Sequence, residues 1–90
     1  MELFSALKDP DAVMDYQIDW TDWLGADTIV TATWTIPAGV TSTGDSNTQY
    51  TTTVFISGGT VGTVYPVLCR VDTAGGRTTD RTIRLLIAEK

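Results

Sequence analysis

The sequence has no histidine and only one cysteine, Cys69, among its 90 residues. Without histidine the chain lacks the commonest general base and metal ligand, and Ser-His-Asp or Cys-His catalytic arrangements are excluded. A lone cysteine permits no intrachain disulfide. That argues against a small secreted domain held by bridges and favours synthesis in a reducing cytoplasm. No apolar run approaches the roughly 18 residues of a membrane-spanning helix. The opening residues, 1–7, lack the basic start and apolar stretch of a signal peptide, so export by that route is not expected. Bases are few and scattered, which disfavours nucleic-acid binding. The pairs Gly58-Gly59 and Gly75-Gly76 do not open helical patterns, so they are not phosphate cradles. Asp9, Asp11 and Asp15 lack the ligand spacing of an EF-hand. Two carboxylates across a cleft, as a glycosidase needs, are hard to build in so small a domain. No enzyme activity, cofactor or metal is therefore expected.

What the chain does have is threonine, at 17 of 90 residues. Threonine is β-branched and fits a pleated, half-exposed surface. Two-residue alternation then locates the strands. Tyr16, Ile18 and Trp20 share one face of a short strand, followed by a capped turn at residues 21–24 that stops at Gly25. In 28–36, Val30, Ala32, Trp34 and Ile36 alternate with threonines, and Pro37 closes the run. Residues 42–49 read as a polar loop. Thr52, Val54 and Ile56 face inward on the next strand, with Phe55 outward. Tyr65, Val67, Cys69 and Val71 face inward on the following one, and Ala74-Gly75-Gly76 leads by a hairpin to Ile83, Leu85 and Ile87.

The expected fold class is all-β, an immunoglobulin-like β-sandwich (15–90) preceded by an N-terminal arm (1–14) with a short helical turn. Trp34 is the expected central aromatic. Tyr65, just past a glycine turn at the start of the penultimate strand, is placed as a tyrosine corner.

Binding surfaces are the remaining question. Leu68 and Leu86 fall on the outward phase of consecutive strands, and with Pro66 they form one expected interface; Phe55 is outward elsewhere. The arm, with Leu3, Phe4 and Leu7, is too apolar for a solvated tail and either folds back or docks on a neighbour. Charge is also uneven along the chain. Residues 1–27 carry seven acids against Lys8, and residues 70–90 carry five bases against three acids. That asymmetry suits head-to-tail contact between copies, although merely solvated faces would look the same.

The stretch from Lys8 to Leu24, KDPDAVMDYQIDWTDWL, resembles the opening of a family of small bacteriophage virion proteins, the phage fibre–tail adaptors. Residues 27–34 (DTIVTATW), Ser57-Gly58-Gly59, Tyr65 with Arg70, Gly76-Arg77 and Arg81 extend the similarity toward Lys90. The resemblance implies a non-catalytic Ig-like domain at the tail or neck of the particle, made in the host cytoplasm. It would bind copies of itself and other virion structural proteins, helping to attach fibres, with neither nucleic acid nor membrane as partner. Asp15, Tyr16, Ile18, Asp19, Trp20, Trp23 and Leu24 define the shared motif, and a structural role is expected for them: the tryptophans packing over the sandwich edge, the aspartates capping turns. Rival readings are a capsid decoration or head–tail joining protein and, in another class, a carbohydrate- or receptor-binding module using an exposed Trp20 or Trp23.

Overall fold

A computed structural model describes residues 2–88, with side chains from residue 6 onward. It contains seven strands and one helical turn: β1 (Glu2–Lys8), β2 (Met14–Asp19), α1 (Thr21–Leu24), β3 (Ile29–Thr35), β4 (Val40–Asn47), β5 (Thr51–Gly58), β6 (Val64–Thr73) and β7 (Thr78–Ile87). Two sheets pack as a sandwich, one in the order β1-β7-β6-β3 and one in the order β2-β5-β4. The β1–β7 pair is parallel and the other pairs are antiparallel. The inner faces follow the alternation read from the sequence. Val54 and Ile56 of β5, Val67, Cys69 and Val71 of β6, and Ile83, Leu85 and Ile87 of β7 are all buried.

Four sequence expectations are corrected. The segment expected to hold a helical turn instead runs as β1 along the edge of β7, with Ala6 opposite Leu85 and Lys8 opposite Ile87. Edge backbone needs partners, and a segment that supplies them gains more than an isolated helical turn. Most of the expected polar loop, residues 42–47, instead forms β4 together with Val40 and Thr41, pairing with β5 from Val40↔Gly58 to Asn47↔Thr52. An edge strand can be polar on both faces, so alternation gives no signal for it. In β3 the register shifts between Ile29 and Thr31. This bulge turns Val30 out, leaving it 61% exposed, and buries Ile29 instead.

The fourth correction concerns the central aromatic. Trp20, not Trp34, is fully buried, and its indole donates to Thr52 Oγ1 at 3.0 Å. Trp34 sits on β3, an outermost strand, and is only half-buried. Its Nε1 is nonetheless inaccessible and has no hydrogen-bond partner among the described residues.

Tyr65 takes the predicted place. Its hydroxyl accepts from the Thr60 amide at 3.0 Å and so ties the β5–β6 turn to the start of β6. Gly39 lies beneath the ring with φ +104, where a Cβ would come within 2.6 Å of Tyr65 Cε1. Only glycine meets both demands, since the conformation and the close approach each exclude a side chain.

Candidate interaction surface

The molecule measures 41 × 22 × 20 Å, and its two ends are chemically unlike. One pole carries α1, the 25–28 connection, the β4–β5 turn and the β6–β7 hairpin. Here the later part of the shared motif, from Asp19 to Leu24, makes internal contacts. Asp19 Oδ1 accepts from both the amide and the hydroxyl of Thr21, an aspartate turn that leads into α1; the residue at the helix start is Trp20, not Thr21 or Asp22, and its side chain makes no capping bond. Trp23 meets Trp20 edge-on, with ring centroids 5.8 Å apart. The Arg81 guanidinium lies 4.4 Å from the Trp20 ring centre, and that of Arg77 lies 4.3 Å from Trp23.

Arg77 also pairs with Asp27 at 3.1 Å and donates to the Leu24 carbonyl at 2.8 Å. Asp27 in turn accepts from the Thr28 and Gly75 amides at 2.8 and 2.9 Å. The Thr73 hydroxyl, these two amides and Arg77 lower the Asp27 carboxyl to about 2, against the opposing effect of desolvation. A strand, a helical turn and a hairpin distant in sequence are thereby clamped together. Trp23 is half-buried, whereas Trp20 lies in the core and not over the sandwich edge, so the two do not form an open aromatic groove for a sugar.

Three of the bases from the basic end of the chain are engaged within the fold. Arg77 is paired with Asp27, Arg81 donates to the Asp19 carbonyl, and Arg70 forms a two-pronged bond to Asp80 at 2.7 and 3.0 Å. Arg84 differs: it is exposed on β7, and no described carboxylate pairs with it.

The opposite pole gathers the 9–13 connection, the β3–β4 and β5–β6 turns and the end of β7. It is anchored by Lys8, which is 1% exposed and donates from Nζ to the carbonyls of Asp9 at 2.8 Å and Gly58 at 2.7 Å. Tyr16 donates to the Leu7 carbonyl at 3.3 Å. Burial, with Asp15 nearby, raises the Tyr16 phenol above its ordinary value. Around these anchors the surface is apolar: Leu7, Val13, Met14, Val61 and Val64 are each at least 40% exposed.

Two open grooves lie here. One, of about 290 Å³, is lined by Ala6, Leu7, Val64, Leu86 and Arg84. The other, of about 360 Å³, is lined by Leu7, Lys8, Asp9, Asp11, Ala12 and Met14. Leu7 forms a wall of both.

Of the residues expected at an interface, Leu7 and Leu86 thus meet in one groove. Pro66 and Leu68 continue the same outer sheet face, opposite Arg84 and Thr82. Phe55 lies apart on the other sheet, 42% exposed opposite Asp15. The backbones of Leu3 and Phe4 lie in β1 beside Thr82 and Ile83, and their side chains fall outside the described residues. Sequence reasoning missed Val64 and Arg84 as groove residues. Val64 is visible only as the outward neighbour of Tyr65, and Arg84 reads as an ordinary solvent-facing base.

Cys69 is buried, its thiol pushed up to about 11 by desolvation, and it contacts Thr52 Oγ1 at 3.5 Å. This is the setting of a core side chain rather than a nucleophile. Among the described residues no cluster of three or more metal-ligating side chains occurs, and no helix is long and apolar enough to cross a membrane. A search of curated proteins finds no match. The family model described as podophage GP4 fiber-tail adaptor protein gp77 matches residues 8–86, which run from the buried lysine of one pole to the leucine that lines its groove, and the chain belongs to that family.

Proposed function

We propose that this chain acts as a structural, non-catalytic adaptor in the tail or neck of a bacteriophage particle, contacting copies of itself and other virion proteins so as to hold fibres. The family match over residues 8–86 carries the reading. The surface chemistry supports it. Apolar side chains lie at outward positions on two separate faces, exposed Pro66 with half-buried Leu68 and Leu86 on one sheet and exposed Phe55 on the other. A domain that joins two neighbours needs two such contacts, and contiguous apolar surface is the usual mark of a protein contact. The reading extends to an immunoglobulin-type sandwich. Its support is the order β2-β5-β4 against β7-β6-β3, with Tyr65 at the head of the penultimate strand.

The test is a phage carrying Leu68→Asp or Phe55→Asp. Both residues face outward, so the isolated variants should fold normally while particles lose fibres or stall before tail completion. Particles with full fibre occupancy and normal titre for both variants would refute the reading. Cross-linking that places the chain only on the capsid shell would favour a decoration role instead.

A further inference from the structure

The grooved pole has a feature that a merely greasy contact would lack. Arg84 is exposed in a groove whose other walls are Ala6, Leu7, Val64 and Leu86, and no described carboxylate pairs with it. Next to it, across Leu7, the second groove carries exposed Asp11, whose carboxylate forms no ion pair with a described base; Lys8 lines the same groove but is buried and donates to the Asp9 and Gly58 carbonyls. Exposed Val13 and Met14 continue that second surface. Each copy therefore presents a cation in an apolar groove and, on the adjoining surface, an acidic edge of Asp9 and Asp11 flanked by Leu7, Ala12 and Met14. The two are complementary to each other but belong to adjacent patches.

We propose that this pole binds a second copy of the chain about a two-fold axis, Arg84 of each copy meeting Asp11 of its mate while Leu7, Met14, Val64 and Leu86 close over one another. This deepens the adaptor reading and rests on it for its place in the particle. The adjacency sets the symmetry. When complementary patches lie side by side, one isologous contact satisfies both at once and assembly stops at two. Patches at opposite poles would instead propagate into a ring or filament. Charge complementarity also selects a copy of this chain over an unrelated apolar surface, because a partner without a carboxylate would bury the Arg84 guanidinium unpaired.

Sedimentation velocity of the isolated full chain, from about micromolar to about millimolar concentration, tests the proposal. A monomer–dimer equilibrium is expected. Arg84→Glu and Asp11→Arg should each weaken it by at least about tenfold. The double variant, and an equimolar mixture of the two single variants, should recover it. Both side chains face solvent, so each single variant should unfold at the denaturant midpoint of the unmodified chain, which separates lost contact from lost fold. A chain that stays monomeric throughout, growth beyond two copies, or a dimer indifferent to both charge reversals would overturn the proposal. A monomeric chain in particles that still carry fibres would sink this contact and leave the adaptor role standing.

Discussion

Truncating Trp20 to alanine should nearly unfold the domain, whereas the same change at Trp34 should be tolerated. Trp20 is completely buried between the sheets. Removal of a buried aromatic costs about 3–5 kcal/mol. The edge contact with Trp23 adds about 0.5–1.5 kcal/mol and the Arg81 stack about 0.5–1 kcal/mol. The loss is therefore about 4–7.5 kcal/mol, against a total stability of roughly 5–13 kcal/mol for a chain this long.

Trp34 is half-buried at an outer strand, and its indole N–H makes no described bond whose loss would count. About 1–3 kcal/mol follows from the smaller area withdrawn from water. The assay is urea unfolding followed by far-UV circular dichroism, since fluorescence would change with the tryptophan count. A Trp20→Phe control keeps most of the ring volume and removes the donor to Thr52, for an expected cost of about 1–2 kcal/mol. If Trp34→Ala destabilises as much as Trp20→Ala, the assignment of the core centre is wrong.

Acid should loosen the helical pole first. Asp27 has its folded pKa lowered to about 2, so its contribution is complete above the unfolded value near 4 and is lost as pH falls from there through 2. Thermal melts between pH 7 and pH 2 should show this loss, and Asp27→Asn should flatten it; an unaltered profile would count against the clamp. Gly39→Ala should cost about 1–3 kcal/mol, because the added methyl meets the Tyr65 ring and the backbone conformation is unfavourable. An unchanged denaturant midpoint would show that the ring can move aside. Cys69 should react with a thiol reagent only at the rate of unfolding, so fast modification of the native chain would contradict its burial.

The buried faces of β5, β6 and β7 were legible because their apolar residues recur at every second position and both neighbours in each sheet enforce the register. The same rule failed wherever a strand lies at the margin. In β4, hydrogen bonding to β5 decides the conformation and side chains leave no trace of it. In β3 one extra residue inverted the face of Val30 and exchanged it for Ile29. The exchange of Trp34 for Trp20 has a related cause. Both alternate correctly, and only the tertiary position of the strand end shows which indole reaches the middle. Of the motif aspartates, Asp19 forms a turn with Thr21 just ahead of α1. Asp15 instead lies exposed on β2. The outward leucines were readable as phase, but the groove that joins Leu86 to Leu7 required the parallel docking of β1, which no local pattern announces.

The outermost position of β3 has a consequence for the chain at high concentration. Ile-Val-Thr-Ala-Thr-Trp-Thr contains no lysine, glutamate or proline, the residues by which native proteins usually blunt an open sheet border. Only the kink at Val30 interrupts it. Crowded copies therefore expose a short template for unwanted strand addition, and Val30→Lys should keep concentrated stocks clear for longer without disturbing the core.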